Sequence, residues 1–196
     1  MLGGIKMKKI FVLVGKSASG KDTIFKEIVK NLNCVHPIVY STTRPQRANE
    51  IHGREYFFVD EKVIEAAELS GTLIEKRVYD TCQGLWTYAT ILDKQFIKND
   101  YGIIVLPPKG LNSFIEFFGE DIIVPVFIHV DDGIRLRRSL DRDELNKKPN
   151  YAETCRRFLA DEKDFAGLEF EHEFENDNLE KCVSDIVKFI KEEVNN

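Results

Sequence analysis

The chain has 196 residues, 43% hydrophobic and 31% charged, and a formal net charge of −5. It is long enough for one α/β domain with a sizeable core, and its composition is that of a soluble globular protein. The acidic balance argues against a general nucleic-acid or membrane-surface binder, and no stretch approaches the roughly 18 apolar residues of a spanning helix.

Lys8–Val14 (KKIFVLV) reads as a buried central strand, because the run is short, continuous and β-rich. The glycine-rich GKSASGKDT, Gly15–Thr23, follows. Ile24, Phe25, Ile28, Val29 and Leu32 then recur at helical spacing, so the glycines lie between a strand and a helix. Pro37–Arg44 begins as a strand and turns polar, and Arg54–Val59 reads as another strand. Asp60 is placed to cap a short helix that Gly71 ends, and Thr72–Tyr79 reads as a strand. A helix is expected over Ile91–Asn99 and another near Gly110–Phe118. Gly102–Leu106 and Ile122–Val130 read as core strands. Asp132–Leu145 and Tyr151–Lys163 read as charged helices, with Asn146–Asn150 as the break between them. The last helix presents Leu179, Cys182, Val183, Ile186, Val187 and Ile190 on one face.

Strands alternating with helices predict a parallel sheet covered by helices on both faces. The region from Tyr40 to Tyr88 differs, with several strands, one short helix and many polar and aromatic residues, and reads as an insertion on one edge. Cys34, Cys82, Cys155 and Cys182 form no C-x-x-C pair, and the four histidines are scattered, so reduced thiols and no metal cage are expected. The apolar run before the glycines is too short for a signal-peptide core, which points to the cytoplasm.

Two segments carry chemistry. The pattern G-x-x-x-x-G-K-[ST] is met from Gly15 to Lys21, with Asp22 in the hydroxyl position and Thr23 one place later. In such a loop the backbone N–H groups of Ser17, Ala18, Ser19 and Gly20 surround phosphate oxygens, and the following helix adds partial positive charge. Lys21 reaches the terminal phosphates, and Asp22 or Thr23 supplies oxygen to Mg²⁺. In STTRPQR, Arg44 and Arg47 stand three apart and can converge on one phosphate, with Ser41 before them and the Tyr56 hydroxyl after; a solvated turn would carry the same residues.

The order G-x-x-x-x-G-K, S-T-T-R-x-x-R, G-x-E-Y-x-F and I-E resembles the guanylate kinases. The likeness continues to Cys155–Phe158 and Glu175–Cys182. It implies a single domain of the P-loop NTPase type over 1–196: a core (8–39, 100–131, 165–196), a small strand-rich insertion for the nucleoside monophosphate (40–92) and a helical lid (132–160). It also implies phosphoryl transfer from ATP to GMP or dGMP with Mg²⁺, by a monomer or homodimer without nucleic-acid or membrane partners. By this resemblance Gly15, Ser17, Ala18, Ser19, Gly20, Lys21, Asp22 and Thr23 hold ATP, and Asn176 lies near the adenine. Lys21, Arg138, Arg142 and Arg157 act on the transferring phosphoryl group, although a solvated helix face would also carry these arginines. Arg44, Arg47, Tyr56 and Tyr88 hold the GMP phosphate, with Ser41 alongside. Glu75 accepts from N1–H and the 2-amino group of guanine, two adjacent donors that adenine lacks, and Thr90 is a second base contact.

The sequence departs from the family's pattern in four features. Tyr40 stands where a serine is usual, and Asp22 replaces a hydroxyl. Val105 and Pro107 replace the carboxylates of a D-x-D, and YDTCQGLWTYAT is longer than the matching stretch. A kinase for another acceptor, such as ribose 1,5-bisphosphate, and a catalytically inactive binding module are the alternative readings.

Overall fold

A computed structural model describes residues 6–81, 84–145 and 148–195. The strand β1 (Lys9–Val14) is buried from Ile10 onward. A left-handed turn at Gly20 leads into α1 (Lys21–Asn31), which buries Ile24 and Ile28. Next come β2 (His36–Pro37), β3 (Ser41–Thr42), β4 (Phe57–Phe58), α2 (Glu61–Leu69), β5 (Leu73–Thr81), β6 (Gly84–Ile91) and α3 (Lys94–Lys98). The rest of the chain forms β7 (Tyr101–Val105), α4 (Pro108–Phe118), β8 (Ile123–His129), α5 (Asp132–Glu144), α6 (Tyr151–Asp164), β9 (Glu173–Glu175) and α7 (Leu179–Asn195).

The strands make two sheets, a five-stranded one in the order β2-β7-β1-β8-β9 and a four-stranded one in the order β4-β3-β6-β5. In the first, β2 pairs with β7 and β8 with β9 in parallel. The fold is mixed α/β, a parallel sheet with flanking helices.

The chain divides into two compact units. One contains Cys34–Ile104 and Asn112–Ile123, with the start of β1. Its four-stranded sheet is mainly the antiparallel β5–β6 pair, in register from Leu73 opposite Ile91 to Thr81 opposite Gly84, with an irregularity between Leu73 and Glu75. The other unit contains Phe11–Asn33, Val105–Leu111 and Val124–Asn196. Here α7 buries Cys182, Val183, Ile186 and Ile190, and it packs against α1. Burial pushes the Cys182 thiol up to about 11. Cys34 and Cys155 are exposed free thiols, and Cys82 lies outside the described residues.

Several expectations need correction. Pro37–Arg44, expected to begin as a strand and turn polar, contributes to two short pieces in different sheets: Pro37 ends β2, and the polar Ser41–Thr42 is β3. Pro37 has no N–H to continue a ladder. Between the pieces Val39 pairs with a side chain: its N–H donates to Gln95 Oε1 at 2.7 Å, and Gln95 Nε2 donates to Val39 O at 3.2 Å. Arg54–Val59 contributes only Phe57–Phe58 to a ladder, because a turn occupies residues 53–55. The helix over Ile91–Asn99 is confined to Lys94–Lys98, since Ile91 still belongs to β6 and Asp93 caps the helix by accepting from Gln95 N–H at 2.8 Å. Asp60 stands at the N-cap of α2 without a side-chain cap bond. The strands β6 and β9 were not expected; β9 alternates Glu173, Phe174 and Glu175 over three residues, too short for a period to register. The break at Asn146–Asn150 lies partly outside the described residues.

Candidate active site

The phosphate loop is shaped by close approach. A Cβ on Gly15 would come within 2.7 Å of Ile128 O and 2.8 Å of Ser19 Oγ, so only glycine fits. Gly20 has φ +90° and faces the Asn176 amide, whose Nδ2 donates to Ser19 O at 2.8 Å. Asn176 is buried, and its Oδ1 has no partner among the described residues. Asn176, expected near the adenine, thus packs against the loop. Lys21 Nζ donates to Gly15 O at 2.7 Å and Lys16 O at 2.9 Å. Burial lowers the Lys21 pKa, with Arg142 and Arg135 acting in the same direction and Asp22 and Asp161 against it.

Lys21, Asp22 and Thr23 line a cleft of about 170 Å³ with Ala18, Gly20, Arg138 and Arg142. Arg138 and Arg142, four apart on α5, therefore share a helix face towards the loop. Arg138 Nη2 also donates to Asn176 O at 3.2 Å. Arg157 is exposed on α6, where its Nε donates to Glu153 Oε1 at 2.7 Å, and it is not part of the cleft lining. Asp22 and Thr23 are exposed oxygen donors, a type that suits Mg²⁺. No cluster of three or more His, Cys, Asp or Glu residues that could hold a metal occurs among the described residues. A metal here would thus complete its shell with substrate phosphates and water, as Mg²⁺ commonly does. Leu106 N–H donates to Leu13 O at 3.1 Å, so Val105 and Pro107 flank the end of β1 without offering a carboxylate.

One arginine of this region escaped the sequence reading. Arg135 is fully buried. It donates to Asp132 Oδ1 at 2.6 Å, to Asp161 Oδ2 at 3.3 Å and to Glu162, and its guanidinium lies 3.8 Å from the centre of the Phe158 ring. The same carboxylates reach the loop: Asp161 Oδ2 accepts from Ser17 N–H at 2.7 Å, and Glu162 Oε1 accepts from Lys16 Nζ at 2.7 Å. Arg135 thereby ties α5 and α6 to the loop. Its hydrogen bond holds the Asp132 carboxyl below the usual range, against burial.

In the other unit, two threonines aim the STTR segment. Thr42 Oγ1 donates to Thr87 O at 2.8 Å, Thr43 Oγ1 accepts from Thr87 N–H at 2.9 Å, and Ser41 is buried. Arg44 is buried against the rings of Tyr56 and Phe58, 5.3 and 5.7 Å from their centres, and is hydrogen-bonded to Tyr88. The Tyr56 and Tyr88 rings meet edge-on at 5.6 Å. Arg44, Tyr56 and Tyr88 are thus brought together, whereas the Arg47 side chain is exposed on the same loop. Glu50, which the sequence reading missed, accepts from Arg44 Nη2 at 2.6 Å and from Arg47 N–H at 2.8 Å. Its hydrogen bond raises the Arg44 pKa against the effect of burial.

Glu75 is buried on β5 opposite Thr90, whose hydroxyl donates to Glu75 Oε1 at 3.0 Å. Arg77 grips the same carboxylate twice, from Nε to Oε2 at 2.9 Å and from Nη2 to Oε1 at 3.2 Å. The Arg77 guanidinium lies 5.3 Å from the centre of the Tyr40 ring. Burial pushes the Tyr40 phenol well above its ordinary value, with Arg77 pulling the other way.

Known proteins similar to this chain are guanylate kinases. The sequence profile of the family described as guanylate kinase matches residues 7–95, which takes in both the phosphate loop and the STTR segment. The chain is 28% identical over 204 residues to the guanylate kinase of Mesomycoplasma hyopneumoniae (strain 7448), covering 97% of this chain and 98% of that protein. It is 26% identical over 190 residues to the guanylate kinase of Thermotoga maritima, covering 94% and 87%. The crystal structure of guanylate kinase from Anaplasma phagocytophilum shares the fold, with a TM-score of 0.66 over 96% of this chain and 87% of that one at 20% identity. The chain is thus similar to guanylate kinases along nearly its whole length at modest identity, and it shares their fold.

Proposed function

We infer that the protein is an ATP:GMP phosphotransferase that converts ATP and GMP (or dGMP) to ADP and GDP. The observation that carries the reading is one chain holding two distinct constellations. Lys21, Arg138 and Arg142 surround the loop cleft, and Arg44, Tyr56 and Tyr88 gather in the unit that also buries Glu75 beside Thr90. In this reading 132–160 is the lid and 40–92 the monophosphate-binding region. ATP and GMP are the partners, which places the enzyme in the cytoplasm where both are supplied.

The chemistry asks little of side chains as acids or bases. A phosphate oxygen of GMP is already a competent nucleophile, so catalysis is positioning and charge stabilisation. Lys21 is anchored to the loop carbonyls, which keeps its ammonium beside the N–H groups that would surround the β- and γ-phosphates. Arg138 and Arg142 add positive charge to the lining of the same cleft. Mg²⁺, held through Asp22, Thr23 and water, would supply charge neutralisation at the phosphate oxygens. Arg44, with its rings and Glu50, orients the acceptor phosphate.

The test is ADP release from ATP and Mg²⁺ with GMP, dGMP, AMP, UMP, CMP and ribose 1,5-bisphosphate offered separately. Turnover confined to GMP and dGMP is expected. Turnover with a different acceptor alone, or ATP binding with no transfer to any of them, refutes the reading.

A further inference from the structure

The base end of the acceptor site contains a group that the reading above leaves unused. A carboxylate has roughly four acceptor sites. On Glu75 three are taken: Oε1 accepts from Thr90 and from Arg77 Nη2, and Oε2 accepts from Arg77 Nε. Guanine presents two donors, N1–H and the 2-amino group, so Glu75 cannot accept both while Arg77 stays in place. Arg77 is not easily displaced, because its departure would strand a buried carboxylate.

The hairpin register places Arg77 among the expected acceptor contacts. Glu75 stands opposite Thr90 and Arg77 opposite Tyr88, so all four side chains share one face of the β5–β6 pair. Glu75 uses two of the five N–H donors of the Arg77 guanidinium. A spare carboxylate acceptor beside guanidinium donors complements N1–H beside C6=O, the amide edge of a 6-oxopurine. Arginine also suits the O6 edge of guanine where proteins read it in nucleic acids.

Resting on the assignment as a nucleoside monophosphate kinase, we propose that Arg77, held by Glu75 and Tyr40, is a specificity-determining residue. It donates to the 6-oxo group while Glu75 takes N1–H. The enzyme accordingly selects 6-oxopurine nucleoside monophosphates and gives the 2-amino group little weight.

The experiment compares kcat/KM for GMP, IMP and 2-aminopurine riboside 5′-monophosphate at saturating Mg²⁺-ATP, in the wild type and in Arg77→Met. In the wild type IMP is expected within about tenfold of GMP, and the 2-aminopurine nucleotide, which lacks both the 6-oxo group and N1–H, weaker by about a hundredfold or more. Arg77→Met is expected to shrink the GMP to 2-aminopurine ratio by about tenfold or more and, by freeing Glu75 to accept from the 2-amino group, to raise the GMP to IMP ratio, a rise that a merely structural role would not produce. An unchanged ratio in a folded Arg77→Met protein overturns the proposal. So does a wild type that prefers GMP over IMP by more than about a hundredfold, because Glu75 then reads both donors. If Arg77→Met fails to fold, the wild-type ratios decide alone. A wild type that turns over none of the three while phosphorylating another acceptor overturns the kinase assignment itself, a separate failure.

Discussion

Replacing Arg135 by methionine removes the charge at the centre of the knot between the loop, α5 and α6. Arg135 has a side-chain exposure of 1%, whereas its partners Asp132 and Glu162 are 51% and 41% exposed. Those two carboxylates rehydrate when released, and each solvated pair contributes only about 0–1 kcal/mol. Asp161, at 15% exposure, is left as a mostly buried charge without its guanidinium partner. Breaking such a buried pair costs about 3–5 kcal/mol. Methionine refills part of the volume against Phe158, and Ser17 N–H still serves Asp161, so the low end applies. The expected loss is about 3 kcal/mol, read from urea unfolding at neutral pH. Asp161→Asn keeps an acceptor for Ser17 and removes the stranded charge. The double variant should therefore be more stable than the sum of the two single losses by at least about 1 kcal/mol. An Arg135→Met loss under about 1 kcal/mol, or strict additivity, would show that the knot is not the buried charge pair described.

Gly20→Ala adds a Cβ at φ +90° against the Asn176 amide and disrupts its bond to Ser19 O. It should cost about 2–3 kcal/mol in denaturant unfolding and weaken binding of an ATP analogue at least about tenfold; near-native values in both would contradict the loop geometry. Burial lowers the Lys21 pKa, so its ammonium is fully charged below that lowered value and is lost as pH rises through it. The alkaline limb of kcat/KM should thus begin below the ordinary lysine value of 10.5 and move upward in Lys21→Arg, and a limb at or above 10.5 in the wild type refutes this. Arg44→Ala should raise the KM for GMP by about 10–100-fold with little change in ATP affinity. Lys21→Ala should chiefly lower kcat, and steady-state kinetics giving small, equal effects for the two would count against their assigned roles.

The parts of this fold that can be read along the chain are those with a strong local period or a contiguous motif. The run Ile10–Val14, the i, i+4 pair Ile24 and Ile28, and the Cys182–Ile190 stripe each declare their element within a few residues. The glycine spacing from Gly15 to Gly20 does the same for the loop. What could not be read depends on distant partners. Ser17 meets Asp161 across 144 positions, and nothing near either residue announces the other. The four arginines of Arg135–Arg142 look alike in the sequence, yet only Arg135 is buried, because only it faces the carboxylates of α6. Glu75 was legible from the motif, but its grip by Arg77 was not, since that depends on side-chain direction along β5.

The junction between β2 and β3 bears on how the four-stranded sheet is joined to the chain before it. Gln95 offers Val39 one donor and one acceptor, the same two groups that a neighbouring peptide would present. Its amide therefore acts as a single detached rung of a ladder, and Val39 keeps both of its backbone hydrogen bonds where the chain changes sheets. A rung carried by a side chain can open without a neighbouring rung opening with it. Its integrity follows that of α3, whose Asp93 cap fixes the backbone of Gln95. Amide exchange at Val39 should accordingly keep pace with the five-residue α3 rather than with either sheet, a stitch that can be undone without unravelling the cloth on either side.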